Sequence, residues 1–421
     1  MRVLIVNTSE RIGGAAVAAS RLTEALNNHG VKAKMLVRDK QTDSITTAML
    51  PPSWRQKWHF LWERFVIWKN NGFNKQNLFA VDIANCGTDI TRLPEFKEAD
   101  IIHLHWVNQG MLSLKGIQHI LKSGKPVVWT MHDMWPCTGI CHHARDCKGF
   151  HNECGPCFYL RSPKEKDLSH RVFLQKKQVY GTAPIRFVTC SLWLEGMVRQ
   201  SSLTQGHDVC TIHNALDTSL FKPGDKQSAR KRLGLPAEKQ LILFGAVKPG
   251  DKRKGIDYFV EACHLLATKH PVWKEKVGIV VFGNKADELQ PLLPFPVYSL
   301  GYIHSEREMV DVYNAVNLYT TPSLEENLPN TIAEAQACGT PCVGFRIGGI
   351  PEMIDHLENG YVAEYRQAED FAQGIQWILD EADSDTLREK ARQKAIAAYG
   401  EDHVAKKYIH LYEETLMKKH D

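Results

Sequence analysis

The chain has 421 residues, of which 43% are hydrophobic and 24% charged, and a net charge of +4. This length is too great for one compact core and points to two domains. The charge is too small to call for nucleic acid as a partner. No apolar run approaches the roughly 20 residues that span a bilayer. The opening MRVLIVNTSE has too short an apolar stretch for a signal peptide and reads as a first strand. A cytoplasmic protein is expected, with its eleven cysteines mostly thiols or metal ligands, because that compartment is reducing.

RVLIVNT (2–8) and AKMLVR (33–38) read as buried strands, joined by a helix that ends at Gly30. The loop between strand and helix reads SERIGGAAVAASRL. Gly13 and Gly14 allow close approach of a ligand, and the helix start offers N–H groups to an anion. The plain alternative is a tight strand-to-helix turn. GxGxxG is absent, which speaks against NAD but not against a phosphate or a sugar.

Residues 52–75 are basic and rich in tryptophan. Trp54, Trp58, Trp62 and Phe65 recur every three or four residues among Arg55, Lys57, Arg64 and Lys69, the pattern of an amphipathic helix. One reading packs it on its own domain. The other docks it at the inner face of a membrane, near a lipid-linked substrate.

DIIHLHW (100–106), PVVWTMH (126–132) and IRFVTCS (185–191) are further strands. His132 stands at a strand's carboxyl end, where it can hydrogen-bond a sugar hydroxyl or orient a reacting centre. His103 and His105 read mainly as packing, with an acceptor contact open to His105 or Trp106. Five cysteines then fall within 21 residues, and Cys141, Cys147, Cys154 and Cys157 follow C-x5-C-x6-C-x2-C. The terminal C-x2-C is a good chelate pair, so structural zinc is the favoured reading. Disulfides and unpaired thiols remain the alternatives.

The segment 213–236 carries turn residues and no strand pattern, so the domain junction is placed there. A second strand series follows: QLILFGA, VGIVVFG, VYSLGY, NLYTTPS, TPCVGFR and GYVAEY. Both halves read as doubly wound α/β units, with ligands expected beyond the carboxyl ends of the strands in a cleft between the domains. After QLILF, Lys248, Lys252, Arg253 and Lys254 crowd a loop that opens a helix at Gly255. Cations there oppose the helix dipole unless an anion such as a diphosphate is bound. The alternative is a solvated basic turn.

In SLEENLPNTIAEAQACG (323–339), Glu326 precedes a helix begun near Pro329, and Glu334 lies inside it. The N–H groups near Asn330 and Thr331 suit a diphosphate, and the two carboxylates suit the hydroxyls of a ribose and a hexose. The lone D-x-D, Asp383-Ser-Asp385, reads as a solvated face.

PSLEENLPNTIAEAQACGTPCVGFRIGGIPEMI (322–354), with its E-x7-E spacing, resembles the retaining glycosyltransferases of family 4. RKG (253–255), HNALD (213–217), VFGN (281–284) and GGA (13–15) extend the likeness over nearly the whole chain. MHDMWPCTGICHH is similar to the branch that builds bacterial surface polysaccharides. The resemblance implies a GT-B fold, α/β, with two Rossmann-like domains facing across an interdomain cleft. The expected division is an acceptor-side domain over 1–215 with a cysteine-rich insertion at 137–157, a nucleotide-sugar domain over 216–398, and a helix over 399–421 returning to the first domain.

The implied activity is retaining transfer of a sugar from a nucleoside-diphosphate sugar to a hydroxyl of a glycan or lipid-linked acceptor, with no metal needed for catalysis. Carried over by residue, Glu326 holds the donor sugar, Glu334 the ribose, and Lys254 neutralises the departing diphosphate. Asn327, Leu328 and Asn330 contact sugar and phosphate, and Gly14 leaves room for phosphate. His132 touches a donor hydroxyl, and Gly283 lies near the base. Where the family has Gly-Arg after the second domain's first strand, this chain has Gly245-Ala246, and Lys248 is the expected replacement. Two other readings are a non-catalytic nucleotide-sugar binding or scaffold protein and an NAD-dependent oxidoreductase.

Overall fold

In the computed structural model, which describes residues 1–245, 251–283 and 286–418, the apolar runs become the central strands of two parallel sheets. Strand β1 (Arg2–Ser9) buries every residue after the first. Its alternate residues face two cores, Leu4 and Val6 on one side and Val3 and Ile5 on the other. A sheet covered on both faces needs such unbroken apolar runs.

The chain divides into two compact units, Met1–Ala215 with Val404–Asp421, and Leu216–His403. In the first, β2 (Lys32–Asp39), β3 (Thr47–Met49), β4 (Ile101–Leu104), β5 (Val127–Met131), β6 (Arg186–Thr189) and β7 (Asp208–Thr211) join β1. Among the described residues these seven strands run in the order β3-β2-β1-β4-β5-β6-β7, all parallel. The order reverses between β1 and β4. One face is covered by the helix Gly14–Asn28 and by the C-terminal helix Glu401–Met417, whose Val404, Tyr408, Leu411 and Tyr412 join Val3 and Ile5 in one core. β3 and β7 are short edge strands that the sequence pattern did not announce.

The second unit holds β8 (Gln240–Gly245), β9 (Val277–Phe282), β10 (Val297–Gly301), β11 (Leu318–Thr321), β12 (Cys342–Phe345) and β13 (Gly360–Ala363). Their order is β10-β9-β8-β11-β12-β13, again all parallel. Here the reversal falls between β8 and β11. Each unit is therefore a doubly wound Rossmann-like sheet. No helix among the described residues is long and apolar enough to cross a membrane.

Candidate active site

In an open parallel sheet, a ligand sits beyond the carboxyl ends of the strands where their order reverses. In the second unit that point lies past Gly245 and Thr321, and the loops leaving these two strands carry Lys254 and Glu326. Lys252–Lys254 forms a short turn capped by Asp251, whose carboxylate accepts from the Arg253 N–H at 3.0 Å. Gly255 follows at φ 73, and a Cβ there would collide with the carbonyl oxygen of Pro322. The two loops are further joined where the Leu324 N–H donates to the Arg253 carbonyl at 2.8 Å. This packing brings Lys254 Nζ to 2.7 Å from Glu326 Oε2.

A third loop holds Glu326 from behind. Gly348, at φ 57, passes so close that a Cβ would strike the Glu326 carbonyl, and the Gly349 N–H donates to the Asn327 carbonyl at 2.7 Å. Asn327 and Leu328 are buried in this junction. The helix Asn330–Ala337 begins directly after it, with Pro329 at the N-cap. Glu334 is buried on that helix and accepts a 2.8 Å hydrogen bond from the Tyr313 hydroxyl. Tyr319 donates to Thr331 Oγ1 at 3.0 Å. Gly283 follows β9 at φ 120, its N–H bonded to the Gly301 carbonyl at 2.7 Å. Lys248, Ala246 and Asn284 lie outside the described residues.

In the first unit, Gly14 opens the helix that follows β1, and Gly13 takes φ 94 at its N-cap. The backbone requirement for glycine thus falls on Gly13, whereas the family likeness had placed the phosphate contact at Gly14. His132 follows β5 directly, with Nε2 2.9 Å from His105 Nδ1 and Nδ1 3.4 Å from Cys190 Sγ. Burial lowers His132 to about 4, so its imidazole is neutral near pH 7. His103 belongs to packing: it meets Thr130 Oγ1 at 2.7 Å and the Tyr412 hydroxyl at 2.7 Å.

Next to His132 begins a buried ionic chain without a sequence signal. Asp133 accepts from Trp106 Nε1 at 2.9 Å and meets His142 Nδ1 at 2.8 Å. His142 Nε2 lies 2.6 Å from Asp82, which also pairs with Arg64, and Arg64 is 3.3 Å from Glu63. Burial opposes charge on His142, but Asp133 and Asp82 overcome it and raise the imidazole to about 10. Burial likewise opposes charge on Asp133, yet His142 holds it at about 2. Burial, with Asp82 alongside, pushes Glu63 up to about 7.

Cys141, Cys147, Cys154 and Cys157 line one cavity of about 20 Å³. Structural zinc is the expectation that their spacing carries. No group of three or more His, Cys, Asp or Glu side chains among the described residues is disposed to hold a metal ion. Two of the sulfurs accept backbone hydrogen bonds, Cys154 from Gly139 at 3.2 Å and Cys147 from Gly149 at 3.4 Å.

Residues 12–220 match the family described as Glycosyltransferase Family 4, and residues 238–381 match Glycosyl transferases group 1. Two stretches of the chain thus match glycosyltransferase families. Among curated relatives, the D-inositol 3-phosphate glycosyltransferase of Thermobispora bispora is 25% identical over 50% of this chain and 52% of its own length. D-inositol 3-phosphate glycosyltransferase 1 of Catenulispora acidiphila is 30% identical over 49% of this chain and 52% of its own. The chain thus spans about half the length of these relatives.

Two solved structures share the GT-B fold across the chain. Sucrose-phosphate synthase from Thermosynechococcus elongatus aligns at TM-score 0.68 and 18% identity, covering 99% of each chain. Anabaena Alr3699/HepE in complex with UDP aligns at TM-score 0.63 and 16% identity, covering 98% of this chain and 100% of its own.

Proposed function

We propose that the protein is a retaining glycosyltransferase, independent of metal, that moves a sugar from a nucleoside diphosphate to a hydroxyl of a glycan or lipid-linked acceptor in bacterial polysaccharide biosynthesis. One observation carries this reading: Lys254 and Glu326 meet at 2.7 Å beside the strand reversal of the second sheet. In that place a cation and an acid divide naturally over one donor. Lys254 shifts onto the diphosphate and stabilises the charge that grows as the bond to the sugar breaks. Glu326, relieved of its lysine, accepts hydrogen bonds from the donor sugar's hydroxyls.

Glu334, aimed by Tyr313, takes the ribose. Asn327, Leu328 and Asn330 shape the sugar and phosphate site, Gly283 the base site, and Gly14 the approach of phosphate. His132, neutral, offers a hydrogen bond to a donor hydroxyl. Lys248 supplies a second cation. A nucleotide-sugar donor is consistent with the UDP-glucose complex of Anabaena Alr3699/HepE. The relatives named for D-inositol 3-phosphate add a third acceptor class.

Incubation of the protein with UDP-, GDP- and ADP-sugars, each with lipid-linked, glycan and inositol phosphate acceptors, tests the reading. Release of nucleoside diphosphate that depends on acceptor is expected, with turnover lowered about 100-fold in Lys254→Ala. Near-normal turnover in that variant removes Lys254 from the mechanism. No release with any pair would leave a binding protein.

A further inference from the structure

The helix Trp54–Asn70 presents a face that nothing among the described residues of its own unit covers. Trp54 is 75% exposed, Trp58 54%, Leu61 57%, Trp62 42% and Phe65 42%. These positions recur as i, i+4, i+7, i+8 and i+11, one stripe along a helix about 25 Å long. The rings are ordered against each other: Trp58 and Trp62 stack at 6.1 Å, and Trp62 and Phe65 at 5.6 Å. Scattered single apolar residues are ordinary on a protein surface, but a contiguous aromatic stripe marks a contact.

Charge identifies the partner. Residues 44–81 contain a single acid, Glu63. It is buried, turned inward with Arg64, and its carboxylate accepts from the Ile83 and Ala84 N–H groups at 2.9 and 2.7 Å. The exposed ionic groups left on this stretch are all cations: Arg55, Lys57, Lys69 and Lys75. Tryptophan beside lysine and arginine suits the boundary between lipid headgroups and acyl chains, where the ring sits at the interface and the cations meet anionic lipid. A second copy of the same face would bring like charges together with no exposed acid to answer them.

We propose that this face docks on the surface of an anionic lipid bilayer, with the helix lying in the plane of the interface. The docking does not depend on the transferase reading, although it would place the protein beside a lipid-linked acceptor at the inner face of the membrane.

Flotation of the full chain with phosphatidylglycerol-containing vesicles, and with phosphatidylcholine vesicles as control, tests it. The protein should float with the anionic vesicles, and less with added salt. Trp58→Ala/Trp62→Ala and Lys57→Glu/Lys69→Glu should each lower the partition coefficient about tenfold or more. All four side chains are exposed, so circular dichroism should show both variants folded as the parent is. Failure to float, or equal partition of parent and variants, overturns the proposal. So does a concentration-dependent dimer that the tryptophan changes abolish, which would make a second copy the occupant. Because the readout is partition, its failure leaves the Lys254 assay intact, and the reverse also holds.

Discussion

The two units use ion pairs in opposite ways. In the first, Glu63, Arg64, Asp82, His142 and Asp133 form a buried chain whose charges answer one another. In the second, Lys254 and Glu326 form one pair whose side chains are 37% and 17% exposed, on loops at the strand reversal. A buried chain whose groups are paired with one another has little charge to offer a ligand. Its physical effect is to tie the insertion, through His142, to the end of β5 and to the segment around Asp82. An exposed pair is worth little to the fold, about 0–1 kcal/mol, so it can open toward a ligand at small cost. The contrast separates charge that holds structure from charge available for chemistry.

The sharpest way to break this contrast is Asp82→Ala. It removes the carboxylate that Arg64 and His142 share, leaving two buried cations with only Glu63 and Asp133 to answer them, and breaking a buried pair costs about 3–5 kcal/mol. Urea denaturation should show that loss in the midpoint with little change in slope.

Titration of the same chain comes next. The value of His142 in the folded protein, about 10, lies above its ordinary 6.5. Its stabilisation is therefore complete below pH 6.5 and lost as pH rises toward 10. Glu63, raised from 4.5 to about 7, loses its share in the same direction. Urea midpoints measured upward from neutral pH should fall, and His142→Gln should flatten that alkaline limb.

Lys254→Ala belongs at the other pole. A 100-fold loss of turnover corresponds to about 2.7 kcal/mol of transition-state stabilisation, whereas the melting temperature should barely move. A variant that lost both equally would place Lys254 with the structural charges and erase the contrast.

These opposite roles were unequally visible in the sequence. The central strands were legible because burial on both faces forces unbroken apolar runs, as in RVLIVNT and VGIVVF. β3 and β7 were not, because a short edge strand such as DVCT needs little apolar content. The basic loop at Lys254 and the helix start after Glu326 were legible from local rules, their roles were implied by the family likeness, and their 2.7 Å contact shows only in the structure. Tyr313, which aims Glu334, carries no mark: its contact spans 21 residues and depends on packing. His142 was overlooked for the same reason, since its partners Asp82 and Asp133 lie 60 and 9 residues away. Gly348 stood in plain view within RIGGI, but its need for glycine appears only when the Glu326 carbonyl lies against it.

Glu334→Gln sharpens the functional pole with a smaller effect. The amide keeps an oxygen for the Tyr313 hydroxyl, so no buried donor is left unpaired, but the charge-assisted contact to ribose is lost. Donor KM should rise about tenfold, the worth of roughly 1.4 kcal/mol, with kcat little changed. A fall in kcat with unchanged KM would move Glu334 from nucleotide binding to the chemical step.

The smallest effect tests an acid outside both clusters. Asp383-Ser-Asp385 looks like a metal-binding D-x-D in sequence, and a solvated face was the expected alternative. The structure gives Asp383 a more definite task. It is the N-cap of the helix Ser384–Tyr399, its carboxylate accepting from the Asp385 N–H at 3.1 Å and the Thr386 hydroxyl at 2.8 Å. An aspartate there satisfies helix-start donors and favours the positive end of the dipole. Asp383→Ala should therefore lower the melting temperature slightly and leave turnover unchanged, with or without added magnesium. Because the carboxylate is spent on the backbone of its own helix, a variant that lost turnover only when magnesium was present would contradict this capping role and the metal-independent mechanism together.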